Sequence, residues 1–115
     1  MICRIWHGWT TGANADTYEQ LLRNEIFVDI AARAIPGYLG IELLRRDVLD
    51  EADARDAHPE VEFVTLMSFD SLDAVRAFAG PEYELAVVPA AARPLLSRFD
   101  ERSAHYEVRV LRIPP

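Results

Sequence analysis

The chain has 115 residues, with twelve basic against nineteen acidic side chains and a formal charge of −7, and no basic cluster stands out. Nucleic acid and anionic membrane are therefore excluded as expected partners, and a chain this long forms one domain, 1–115, that buries roughly 65% of its unfolded surface. Cys3 is the only cysteine, which rules out an intrachain disulfide and a cysteine-held metal centre. MICRIWHGW lacks the apolar core of a signal peptide, and no run approaches the ~20 apolar residues of a membrane span, so a cytoplasmic protein is the expectation.

Ile2 to Trp9 alternates as a strand, with Cys3, Ile5, His7 and Trp9 on one face and Ile2, Arg4, Trp6 and Gly8 on the other. Small and polar residues at Thr10 to Ala15 predict a turn. Asp16-Thr17-Tyr18-Glu19 then has the form of a capping box, opening a helix to about Ala34 with a buried stripe of Tyr18, Leu22, Ile26, Ile30 and Ala34. Pro36-Gly37 closes it. A second strand runs from Tyr38 to Arg46, with Leu39, Ile41 and Leu43 on one face and Tyr38, Gly40, Glu42 and Leu44 on the other. Six carboxylates crowd Asp47 to Glu60 without the glycine and terminal glutamate of a calcium loop, so a solvated connection is expected there, with His58 exposed.

The stretch VEFVTLMSFDSLDAVRAFA, Val61 to Ala79, reads as a strand passing through a sharp turn into a helix. Both strand faces are largely apolar, the mark of a central strand. Asp70 or Ser71 caps the helix, Leu72, Ala74, Val75, Phe78 and Ala79 form its buried stripe, and Gly80-Pro81 ends it after about three turns. Broken helix is expected over Pro81 to Arg98, because Pro89 and Pro94 interrupt it. Ser103 to Ile113 is the last strand, with Tyr106, Val108 and Val110 opposite His105, Glu107 and Arg109.

The order β-α-β-β-α-β predicts an α+β fold, the ferredoxin-like antiparallel sheet with both helices on one face. No assignment of the alternating sets leaves the other face polar: either Trp6, Tyr38 and Leu44 or their alternates Trp9, Leu39 and Leu43 lie on it. An apolar bare face predicts a partner, and a second copy closing sheet to sheet is the simplest one.

Strand one, PGY-LG-IELLRR at 36–46, VTLMSFDSLDAVRAFAG at 64–80 and HYEVR at 105–109 together give the chain a layout that resembles the antibiotic biosynthesis monooxygenase-type domains of the dimeric α+β barrel proteins. The resemblance covers almost the full chain and is one of layout and short patterns. It implies a homodimer with a small-molecule pocket between sheet and helices in each subunit; some members oxidise polycyclic phenols or quinols without a cofactor, and others degrade haem. The haem-degrading relatives carry asparagine, tryptophan and histidine where strand register places His7, Met67 and about Val87 here, so that chemistry is not expected. The strand-three tryptophan of the phenol oxygenases is likewise replaced, by Met67.

What remains is a pocket and a candidate base. If the Cys3, Ile5, His7, Trp9 set faces the helices, His7 is the expected catalytic residue, taking a proton from a phenol whose anion then reacts with oxygen. Trp9, Phe63, Met67 and Tyr83 are the expected substrate-binding residues. No metal site and no cofactor are expected. His105 is expected to pair with Glu107 or Arg4 on the dimer-facing side, and Arg4 with Glu42 across neighbouring strands. Two functions follow: a cofactor-independent monooxygenase of a small aromatic phenol or quinol, or a non-catalytic dimeric binding or structural module of the same fold.

Overall fold

The computed structural model describes residues 1–48 and 59–115, so the acidic connection at 49–58, with His58, lies outside the described residues. Strand β1 spans Ile2–Thr11, followed by helix α1 at Gly12–Leu21, a π-type turn at Leu22–Ile26, and helix α2 at Phe27–Ala32. Strands β2 at Tyr38–Asp47 and β3 at Glu60–Phe69 come next, then helix α3 at Leu72–Ala79 and strands β4 at Leu96–Phe99 and β5 at Ala104–Glu107. The sheet order is β2-β3-β1-β4, with β5 also paired to β1. Every pairing is antiparallel, and β4 and β5 share one edge of β1, beside its C-terminal and N-terminal halves. This is the predicted α+β, ferredoxin-like arrangement, with β4 an additional strand that begins in the stretch expected as broken helix. No helix among the described residues is long and apolar enough to cross a membrane.

Register decides which side chains share a face. On β3, Val61, Phe63, Met67 and Phe69 are buried under the helices in two clusters: Phe63 with Ala15, Tyr18 and Leu22, and Met67 and Phe69 with Ile35, Val75 and Phe78. Their β1 partners are Thr10, Gly8, Arg4 and Ile2 respectively, with Trp6 opposite Thr65. The helix-facing set of β1 is thus Ile2, Arg4, Trp6, Gly8 and Thr10. The expected set, Cys3, Ile5, His7 and Trp9, faces away, because cross-strand neighbours must lie on the same side of a pleated sheet.

Several boundaries move for identifiable reasons. The first helix begins at Gly12 because the Thr11 hydroxyl accepts from the Asn14 backbone N–H at 3.3 Å. The Asp16–Glu19 pattern therefore sits inside the helix, where both carboxylates accept from Arg45 of β2, at 2.8 and 3.2 Å. Ala34 is exposed rather than part of the buried stripe, and takes a left-handed φ of 50° as the helix ends. In β2, one extra residue, Leu39, interrupts pairing between Tyr38 and Gly40. This bulge returns Tyr38 to the helix side, against Phe69, and leaves Leu39 exposed. Gly37 adopts a φ of +84°, and a Cβ there would lie 2.3 Å from Asp70 Oδ1, so the start of β2 fits against the β3-α3 turn only with glycine.

Helix α3 follows its prediction in its cap, with the Ser71 hydroxyl accepting from Ala74 N–H at 3.2 Å, and in its Gly80 ending. It is shorter than expected, eight residues, and Leu72 is exposed. Between Pro81 and Arg98 no α-helix forms; a single 3₁₀ turn at Arg93–Leu95 leads into β4. The predicted last strand is confined to Ala104–Glu107, since β1 offers partners only from Ile2 to Ile5.

Candidate functional site

A cavity of about 270 Å³ lies between the sheet and the helices. Trp6, Thr65, Met67 and Ile41 form its sheet wall; Leu22 and Ile26 line it from the π-type turn, Phe27 and Ile30 from α2, Phe78 from α3, and Val87, Val88 and Pro89 from the irregular segment. Tyr18, buried and edge-on to Phe63 at 4.8 Å, closes one side. Burial raises its phenol well above the ordinary range, so it stays neutral.

Trp6 is held in place at both ends. Its indole N–H donates to the Asp100 carbonyl at 2.7 Å, and its ring lies over Gly8, where an added Cβ would come within 2.8 Å. Glycine at position 8 is what lets the large ring lie flat along the strand.

Arg4 enters the same cavity from β1 and is only 3% exposed. Its guanidinium donates to the Tyr83 carbonyl, to the Leu85 carbonyl at 3.1 Å, and to His105 Nε2 at 3.0 Å, with Phe78 5.6 Å beneath it. Burial pulls its pKa down to about 10, which leaves it cationic at neutral pH. Ser103 also lines the cavity, buried, with its hydroxyl unpartnered among the described residues. The remaining charged groups of the described lining are Asp29, exposed to solvent, and Arg33, whose guanidinium donates to the Ala77 and Phe78 carbonyls at the end of α3. Among the described residues no group of three or more His, Cys, Asp or Glu could hold a metal ion.

Of the expected site residues, Met67 lines the cavity. Phe63 lies on the helix side but in the core beneath Tyr18, and Tyr83 contributes its carbonyl to Arg4 and its ring to His105, edge-on at 5.1 Å. The placement of His7 and Trp9 in the pocket is corrected: both stand on the opposite face of the sheet. There His7 Nδ1 is 3.8 Å from Glu62 Oε2 and its ring stacks 6.0 Å from Trp9, which in turn lies 3.9 Å beneath the Arg98 guanidinium. Arg46 holds Glu62 at 2.9 Å and Arg98 holds Glu60 at 2.7 Å, so this end of the outer face is a charged network. His105 does pair with Arg4, but on the helix side rather than the outer one; Glu42 is on the outer face, two strands away, and does not.

Of the two tryptophans that alternate on β1, Trp6 rather than Trp9 is the one in the cavity. Arg4, Thr65, Phe78 and Ser103 are pocket residues that the sequence does not mark as such, and only Arg4 carries a signal, a charge on an otherwise apolar strand.

The Arg4–His105 contact has a pH consequence. A guanidinium can only donate, so Nε2 accepts and the imidazole is neutral. Burial first, and the Arg4 charge second, hold its pKa below the ordinary 6.5, with Glu84 opposing. A base whose folded pKa is depressed is protonated more readily in the unfolded chain, so stability is complete above the unfolded value and falls as pH drops toward the folded one. Unfolding free energy should therefore rise with pH up to about 6.5, and His105→Gln should flatten that rise, measured by urea denaturation across pH 5 to 8. The other histidines are common to both proteins, so the difference isolates His105.

Neither a family model nor a curated protein matches the chain. Among solved structures, the crystal structure of a candidate antibiotic biosynthesis monooxygenase from Bacillus cereus matches 98% of this chain and 97% of its own length, with a TM-score of 0.64 and 12% identity. At that identity the likeness establishes the fold alone, the α+β fold that this chain shares with that protein.

Proposed function

We propose that the chain is a cofactor-independent monooxygenase of a small aromatic phenol or quinol. The carrying observation is the cavity: about 270 Å³, walled by Trp6, Phe27, Met67 and Phe78, on the helix side of a sheet whose fold is shared with a candidate monooxygenase. Aromatic and thioether walls suit a flat ring system, which stacks or packs edge-on against them.

For an anthrone-like substrate the reaction balances without a second reductant. Loss of a ring proton to water gives the enolate; the enolate passes one electron to O₂; radical and superoxide combine to a peroxide anion, which takes one proton back to become a hydroperoxide, and this loses water. One oxygen atom ends in the quinone carbonyl and the other in water. The chain's part is to hold the ring dry and oriented. His7, on the far face, has no place in this scheme.

A second reading, a binding module without turnover, is favoured by one observation: among the described residues no histidine lines the cavity, and the one carboxylate that does, Asp29, is solvated. Oxygen uptake with anthrones and dihydroxynaphthalenes separates the two. The wild type should consume oxygen, His7→Ala should keep most of that rate, and Val88→Trp, which fills the cavity, should reduce it by about 100-fold or more. Binding without oxygen uptake would leave the module reading in its place.

The outer sheet face supports a homodimer. Ile5, Val64 and Leu66 are half-buried there, and Leu44 and Tyr106 are exposed by 47% and 56%. Past β5 the chain runs on with Val110, Leu111 and Ile113 all more than 60% exposed. A second copy of the chain, itself carrying the same apolar face, is the partner that such a surface fits.

A further inference from the structure

We infer that the part of the cavity wall built by Arg4 and Ser103 is a subsite for an ionised oxygen carried on a flat aromatic ligand. The inference rests on the cavity being a ligand site, and adds the charge and the residues that read it.

Buried cations in proteins are normally paired with anions, because removing a charge from water is costly unless a partner compensates it. Arg4 departs from this. It is 3% exposed, yet every acceptor it has among the described residues is neutral: two backbone carbonyls and the imidazole of His105. No carboxylate among those residues lies within ion-pair distance of it. These contacts use three of five guanidinium N–H groups and fix the plane of the fork, which leaves the side chain positioned but its charge uncompensated.

Ser103 supplies the independent observation. It is 6% exposed, its hydroxyl has no partner among the described residues, and it lines the same cavity as Arg4. Its position is set by the backbone: Ser103 N–H donates to the Glu84 carbonyl at 2.7 Å, while Arg102 pairs with Leu85, whose carbonyl accepts from Arg4. One short bridge thus carries both the residue that anchors the guanidinium and the free hydroxyl. The other cationic lining group, Arg33, is committed to the carbonyls ending α3, and Asp29 is exposed to water. An ionised oxygen entering this wall would gain a charge-assisted hydrogen bond from the guanidinium and a second one from the hydroxyl. Apart from Thr65, the rest of the described lining is apolar or aromatic and would hold the ring. A carboxylate and a phenolate both present such an oxygen.

Calorimetric titration of the full chain at pH 7.5 with naphthalene-2-carboxylate and its neutral carboxamide tests the charge directly. The carboxylate should bind at least about tenfold more tightly. Ser103→Ala should lose a few-fold in carboxylate affinity, and Arg4→Met should remove the preference altogether. For the phenolate arm, 4-nitrophenol should bind with its apparent pKa lowered, seen as yellow absorbance appearing at lower pH with wild type but not with Arg4→Met. Should Arg4→Met not fold, the wild-type preference and its reduction in Ser103→Ala stand as the test. Equal binding of the acid and the amide by the wild type, or a preference that survives both substitutions, overturns the subsite while leaving the cavity as a ligand site. Binding of neither compound overturns both.

Discussion

Replacing Phe63 by alanine is expected to destabilise the chain by about 3–5 kcal/mol, the range for a large aromatic removed from a close-packed interior. The site has little room to relax. Phe63 has no exposed surface, sits on the central strand β3 between β1 and β2, and meets Tyr18 edge-on at 4.8 Å. The Arg45 guanidinium lies 5.5 Å over its ring, and that same arginine holds Asp16 and Glu19 of α1. Losing the ring thus opens a void beneath α1 and loosens the side chain tying α1 to β2. Urea denaturation monitored by tryptophan fluorescence measures it. Phe63→Leu, which keeps most of the volume, should lose much less, and equal losses for both would show that the ring's packing is not what stabilises this contact.

The second large effect concerns assembly. The wild type is expected to sediment at twice the chain mass at low micromolar concentration, and Leu66→Arg to shift it to monomer. Leu66 lies at the middle of β3 with Ile5 and Glu42 as its cross-strand partners, so the substitution sets a guanidinium beside the Glu42 carboxylate among Ile5, Val64 and Leu44 on the outer face, an ion pair that closing a second copy over it would have to desolvate. A charge desolvated at the centre of an interface costs on the order of 2 kcal/mol or more, which is ~30-fold in the dimer dissociation constant. The same arginine on a monomer would stand in water and change little. Sedimentation velocity of both proteins decides the matter: a wild type that remains monomeric, with a folded far-ultraviolet spectrum, would remove the dimer and the α+β barrel it would form. Arg98→Ala is a useful control, because Arg98 belongs to the charged end of that face, with Glu60 and Trp9.

The sequence by itself determined the element order and most of the strands. Period-two alternation is a local property, so β1, β2 and β3 were legible within a residue or two, and the Ser71 cap and Gly80 stop marked α3 because capping is decided within one helical turn. It also determined that the sheet would have an apolar face left over. Which face that is was decided only by tertiary structure. Alternation specifies two sets of side chains but not their direction, and on β1 the more apolar set, Cys3, Ile5, His7 and Trp9, turned outward. The inward set contains an arginine, which local hydrophobicity counts against burial. What makes that burial tolerable is a pair of carbonyls at Tyr83 and Leu85 and the imidazole of His105, some eighty to a hundred residues further on, brought to β1 by the β5 pairing and the Leu85–Arg102 bridge. The Leu39 bulge reversed Tyr38 in the same way, through one unpaired residue that no period reveals. A cavity is a property of what packs across it. Its apolar lining was implicit in the stripes of the helices and β3, but its polar corner at Arg4 and Ser103 exists only because long-range backbone contacts satisfied one set of donors and left another free.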